Sequence, residues 1–172
     1  MNGKAPRPAV PAPPVAAGVS VRQAGSDALD EVMRIMAAAF PPCFGEAWTR
    51  SQCAGILPMA GVALRLAHDG GGQARGFSLM RVIADEAELL LIAVEPTAQH
   101  HGIGAALVDD FIACSTGNGA RRLHLEVRDG NPAIALYERA GFGPAGRRRD
   151  YYRGRDGEVR DALTLALEIP RP

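Results

Sequence analysis

From Glu88 to Val94 the chain reads Glu-Leu-Leu-Leu-Ile-Ala-Val. So short and so apolar a run fits a strand in the middle of a sheet, covered on both faces. A polar loop follows from Glu95 to His101. Gly102 and Gly104 then open a helix that carries Ile103, Ala106, Leu107, Phe111 and Cys114 in its repeat and runs to about Thr116. Glycine lets a ligand approach the backbone, and a helix N-terminus offers unpaired N–H groups at the positive end of the helix dipole. Together they make a site for phosphate groups.

A dinucleotide site of the Rossmann kind competes with this reading, because Glu126 ends a strand at about the right distance after Gly102. Rossmann glycines follow their strand at once, whereas Glu95 to His101 intervene here. The Rossmann strand also tends to come first, and this one comes fourth. Val19 and Val21 alternate with polar residues as a first strand. Ser26 or Asp27 is placed to cap a helix carrying Leu29, Val32, Met33, Met36 and Phe40, which Pro41 and Pro42 end. A shorter helix is expected from about Glu46 to Leu57. Val62, Leu64 and Leu66 alternate as a strand, and after the turn at His68 to Gly72 a second runs from Phe77 to Ile83. Asp85-Glu86 turns the chain into the apolar run.

Downstream, Asn118-Gly119 is a turn. Leu123, Leu125 and Val127 alternate with His124, Glu126 and Arg128, which puts Glu126 on the face opposite the apolar residues. Pro132 to Ala140 reads as a helix, with Pro near its start and Gly141 past its end. A hairpin closes the chain: Ala145 to Tyr152, a turn at Arg155-Asp156-Gly157, then Val159 to Ile169. The order β-α-α-β-β-β-α-β-α-β-β predicts an α/β fold with a mixed sheet.

The chain has 172 residues, enough for one domain. We expect it at residues 18–172, behind a flexible Pro/Ala-rich tail at residues 1–17. The 19 Lys and Arg balance the 19 Asp and Glu, so no global field points to nucleic acid or an anionic membrane. No apolar run reaches the ~18–20 residues that span a bilayer. Three cysteines, Cys43, Cys53 and Cys114, form no Cys-x-x-Cys pair and read as reduced thiols, consistent with a cytoplasmic chain. His100 and His101 are adjacent, point apart and lack acidic neighbours, so no metal site is expected.

Gln99-x-x-Gly102-x-Gly104 after a buried strand resembles motif A of the GNAT superfamily. The stretch Leu125-Glu126-Val127-Arg128, then Asn131, Leu136-Tyr137 and Gly141-Phe142, resembles the matching block of RimI-type N-alpha-acetyltransferases. Arg148-Arg149-Asp150-Tyr151-Tyr152 resembles that group's closing hairpin. The likeness runs from about Val19 to Leu167. It implies the GNAT fold, a mostly antiparallel sheet of about six to seven strands flanked by helices. It implies acetyl-CoA as co-substrate, with Ile92, Ala93 and Val94 beside the acetyl-pantetheine arm. His100, His101, Gly102, Ile103, Gly104 and Ala105 would hold the pyrophosphate, and Asn131 would contact the coenzyme.

Acetyl transfer needs a neutral amine, a polarised thioester and a proton for the departing thiolate. A peptide α-amine has a pKa near ~8, so only about a tenth is neutral at pH 7. The resemblance makes Glu126 the general base and Tyr137 the acid that protonates the thiolate, with the Val94 N–H binding the developing oxyanion. Without the family, Glu126 reads as an ion-paired strand carboxylate, Tyr137 as a core-edge aromatic and Asn131 as a helix cap. The acceptor that the resemblance implies is the N-terminal α-amine of a protein, a ribosomal protein's alanine. The alternatives are a small amine (polyamine, amino acid or aminoglycoside) or a coenzyme-binding module without catalysis.

Overall fold

The computed structural model describes residues 18–154 and 157–170. The tail of residues 1–17, and Arg155 and Asp156 of the expected turn, lie outside the described residues. The strands are β1 Ser20–Ala24, β2 Val62–His68, β3 Ala74–Ile83, β4 Glu86–Val94, β5 Arg122–Arg128, β6 Gly143–Arg153 and β7 Val159–Glu168. The helices are α1 Leu29–Ala39 and α2 Arg50–Ile56 between β1 and β2, α3 Ile103–Gly117 between β4 and β5, and α4 Ile134–Arg139 between β5 and β6. The element order is the one read from the sequence. One seven-stranded sheet runs β1-β2-β3-β4-β5-β7-β6, and only β4 and β5 are parallel. That parallel step needs a crossover, which α3 supplies.

Several boundaries differ from expectation, each for a local reason. No side chain caps α1; a 3-10 turn at Ser26–Ala28 leads into it instead. Asp30 and Glu31 in its first turn favour the helix dipole. The second helix begins at Arg50 rather than Glu46. Thr49 Oγ accepts the Gln52 N–H while the Gln52 side chain accepts the Thr49 N–H, a capping box that leaves Glu46 outside the helix. The hairpin turn before β4 is Ala84-Asp85, not Asp85-Glu86, with Ala84 at φ 53°. α4 begins at Ile134, two residues after the expected Pro132.

β4 is central, but its residues are not equally covered: Leu89, Leu91 and Ala93 are buried, while Leu90, Ile92 and Val94 are half-buried. A bulge explains the pattern. Leu79 pairs with Leu91 and the next β3 residue, Met80, pairs with Leu89, so Leu90 is extra. Before the bulge, Ala87 and Leu89 pack with Met80, Phe111 of α3 and Leu123 and Leu125 of β5. Beyond it, Leu91 and Ala93 pack on the other side with Val32, Ile35 and Met36 of α1. The same inserted residue ends the β4–β5 ladder. Parallel pairing runs from Glu86↔Arg122 to Leu89↔Leu125 and stops. The upper ends of the two strands, Leu90 to Val94 and Glu126 to Arg128, stand apart.

Candidate active site

A cleft of about 640 Å³ fills the gap between β4 and β5. Ile92, Ala93 and Val94 form one wall, and His100, Gly102, Gly104 and Ala105 close one end. Glu126, Val127 and Arg128 form the opposite wall, with Asn131 and Tyr137 beyond. Phe40, Phe44 and Glu46 from the α1–α2 connection and Tyr152 from β6 line the rest. Ten of the twelve residues singled out in the sequence therefore surround one space. His101 and Ile103 are not among its lining residues. His101 Nδ1 lies 2.7 Å from the Gln99 carbonyl oxygen. The Ile103 side chain is buried beside Ala67 and Leu107, so only its backbone can serve an anion.

Which backbone groups of β4 are free follows from the register. The Glu95 N–H donates to Arg75 O at 2.9 Å, and Val94 lies opposite Gly76. In an antiparallel ladder alternate residues direct their polar groups to alternate sides. Ala93 therefore spends its N–H and C=O on Phe77. Ile92 and Val94 turn theirs toward β5, into the gap. The Val94 carbonyl accepts Gln99 Nε2 at 3.3 Å, and its N–H is left aimed at the cleft.

The anion end is built from strained and anchored backbone. His100 has φ 63° and Gly102 φ 84°, so two residues of this turn sit in the left-handed region. α3 begins at Ile103 without a side-chain cap, and its first intrahelical bond is Ala106 N–H to Gly102 O at 2.9 Å. The N–H groups of Ile103, Gly104 and Ala105 precede that bond, as helix geometry requires. The turn is pinned at its origin by Glu95, which is 6% exposed. Its carboxylate pairs with Arg34 of α1 and with Arg75 of β3, the latter at 2.9 Å. Arg34 also donates to the Ala74 carbonyl at 2.7 Å, and Arg75 to Asp69 at 2.8 Å. Nothing in the sequence marks Glu95 for this role, because its partners lie in other elements.

The opposite end holds two carboxylates. Glu126 projects from the open face of β5 and both its oxygens accept Arg148 Nη1, at 2.9 and 3.1 Å. Glu46 arrives from the α1–α2 connection and accepts Arg128 Nε at 3.2 Å and Asn131 Nδ2 at 3.4 Å. The Arg128 guanidinium is held 3.9 Å over the Phe44 ring. The helix expected from about Glu46 hides this role. The Thr49-x-x-Gln52 spacing is the signal that excludes Glu46 from that helix. Asn131 Oδ1 accepts the Ala133 N–H at 2.9 Å, an Asx turn ahead of α4. It is not the helix cap expected, because the N-cap position of α4 is Ala133, with no side-chain cap.

Tyr137 is buried and packs edge-on against Phe142, ring centroids 6.4 Å apart. Burial, helped by the charges of Tyr152 and Glu46, holds its phenol well above the ordinary tyrosine range. Tyr152 is pushed up to about 12 by burial first and by Glu46, Tyr151 and Glu126, with Arg128 opposing. Both phenols stay protonated at any working pH and are hydrogen-bond donors. The cleft thus joins a glycine turn with unbonded helix N–H groups, a free strand amide, two carboxylates and two phenols along one open seam.

Residues 29–142 match the acetyltransferase (GNAT) family. The [ribosomal protein bS18]-alanine N-acetyltransferase of Escherichia coli (strain K12) is 44% identical over 99 residues, 57% of this chain and 66% of that protein. The match therefore spans a little under two thirds of that relative's length. A putative [ribosomal protein bS18]-alanine N-acetyltransferase of Bacillus subtilis (strain 168) is 30% identical over 87% of this chain and 95% of its own. The crystal structure of the ribosomal-protein-S18-alanine N-acetyltransferase from Escherichia coli superposes with a TM-score of 0.78 at 32% identity, covering 90% of this chain and 96% of that one.

Proposed function

Because this chain belongs to the acetyltransferase (GNAT) family, we propose that it moves the acetyl group of acetyl-CoA onto the N-terminal α-amine of a protein, as RimI-type enzymes do. The acceptor we assign is the N-terminal alanine of a ribosomal protein. The observation that supports this most is the split between β4 and β5, with an anion-binding turn at one end and Glu126 and Tyr137 facing the other. The N–H groups of Gly102 to Ala105 receive the pyrophosphate. The freed backbone of Ile92 and Val94 receives the pantetheine arm, which lays the thioester beside Glu126.

The chemistry follows from these positions. Glu126 accepts a proton from the ammonium, directly or through water. The neutral nitrogen attacks the thioester carbon, a C–N bond forms, and the Val94 N–H takes the developing oxyanion. The tetrahedral intermediate collapses, the C–S bond breaks, and Tyr137 donates to the departing sulfur; the second proton of the former amine leaves through water to the phenolate, which gives the neutral amide and restores Tyr137. The raised phenol would make that transfer costly in water. A thiolate formed beside the buried Tyr137 is desolvated too, so both affinities for the proton rise together. We read residues 18–172 as one acetyltransferase domain that works in the cytoplasm, where acetyl-CoA and ribosomal proteins meet. Among the described residues no helix is long and apolar enough to cross a membrane.

The test is mass spectrometry of protein N-termini after the purified protein and acetyl-CoA are added to unmodified ribosomal proteins. Acetylation of one alanine N-terminus is expected. If polyamines, amino acids or aminoglycosides are acetylated and no N-terminus is, the acceptor assignment falls. Glu126→Gln should abolish turnover while acetyl-CoA affinity stays the same. A parent protein that binds acetyl-CoA and acetylates nothing would be a binding module.

A further inference from the structure

The acceptor end of the cleft carries two guanidiniums for its two carboxylates, and the two pairs differ in kind. Glu46 and Arg128 have side chains each 10% exposed, and Arg128 is further fixed by the Phe44 ring. Glu126 and Arg148 are 23% and 58% exposed, at the mouth. Arg148 rests 4.8 Å over the Tyr151 ring. It does not come from the strand beside Glu126. β7 lies between, with Thr164 opposite Glu126 and Ala162 opposite both Arg128 and Arg148. Arg148 therefore reaches across one whole strand, over the small side chain of Ala162, to meet Glu126.

A built feature of the hairpin aims it there. Between Arg148 and Tyr152 the β6–β7 register slips, and Asp150 sits at φ 56°. The Asp150 N–H is received by Asp161 Oδ1 at 3.0 Å, and Asp161 Oδ2 also holds Arg147 Nε at 2.8 Å. The bulge is thus tied at its base; on either side of it Arg148 reaches Glu126 and Tyr152 lines the cleft. Arg147 is committed to Asp161 and Asp129. Arg128 is committed to Glu46. Arg148 is the guanidinium that answers Glu126.

We propose that Arg148 is a positioning residue: it holds the Glu126 carboxylate aimed into the cleft, and the incoming ammonium displaces it. An exposed pair of this kind is weak, so exchanging one cation for another costs little. The buried Glu46–Arg128 pair cannot exchange this way. Once displaced, Arg148 keeps its contact with Tyr151 and solvent. This inference rests on Glu126 being the base.

The test uses the full chain as parent, Arg148→Gln and Arg148→Lys. Acetyl-CoA affinity serves as the folding control, and the readout is steady-state kinetics at pH 8 with an alanine-starting peptide. With its competitor gone the ammonium binds more tightly, so peptide KM falls threefold or more in Arg148→Gln, while kcat falls at least threefold as Glu126 loses its aim, and Arg148→Lys restores both. A peptide KM that is unchanged or higher, or a kcat that does not move, overturns the inference. If Glu126→Gln itself retains turnover, the assignment of the base is what fails.

Discussion

Gly102 and Gly104 look equivalent in the sequence and serve different needs. Gly102 has φ 84°, a conformation that costs an L-residue about 1–2 kcal/mol. Gly104 is helical, and a Cβ there would stand 3.2 Å from Leu136 Cδ2. Gly102→Ala should therefore strain the turn itself and raise the acetyl-CoA KM about tenfold or more, read by steady-state kinetics. Gly104→Ala should be milder, because the end of the Leu136 side chain can move. An equal effect of the two would refute the distinction. Tyr137 allows a cleaner separation of chemistry from packing. Its ring supports Phe142 and its hydroxyl faces the coenzyme's sulfur in the proposed mechanism. Tyr137→Phe keeps the ring, so acetyl-CoA binding should hold while kcat falls by about 10²-fold or more. A kcat within threefold of the parent would remove Tyr137 from the proton path.

At the scale of elements, one inserted residue in β4 shapes the site. Leu90 turns the buried alternation of the strand over, so that its lower half faces α3 and its upper half faces α1. A run of apolar residues conceals such a change, since every position is apolar whichever way it points. The strand was legible as a strand; its change of face was not. Glu95 then anchors the strand's end to α1 and β3. Glu95→Ala leaves two guanidiniums facing an unpaired site, and we expect a loss on the order of 2–4 kcal/mol. In a chain of this size that is a fall in Tm of roughly 5–10 °C. If the network positions the anion turn, acetyl-CoA KM should also rise severalfold while peptide KM stays put. Lower stability with unchanged coenzyme affinity would make Glu95 a structural group alone.

For the molecule as a whole, the two cleft phenols predict its behaviour in alkali. Tyr152 titrates near 12 in the fold and Tyr137 is raised as well, against about 10 for an unfolded tyrosine. The folded state holds these protons more tightly. Their contribution to stability is complete below pH ~10 and is lost as pH rises through the folded-state values. The midpoint of denaturation should hold steady from pH 7 to 9 and fall between pH 10 and 12, less steeply in Tyr152→Phe. An equal slope in that variant would contradict the assignment.

What the residues determine unaided is the succession of elements, the glycine-opened helix after an apolar strand, and the face of β5 that carries Glu126. All of these follow from local periodicity, backbone preference and spacing, which act within a few residues of chain. Tertiary structure decides where the sheet splits, which carboxylate takes which arginine, and that Glu46 belongs to the cleft. Glu95 meets Arg34 across 61 residues and Arg128 meets Glu46 across 82. A charge in the chain carries no mark of the partner it will meet at such a distance. Only the closed sheet, by fixing register and bulges, brings them to one place.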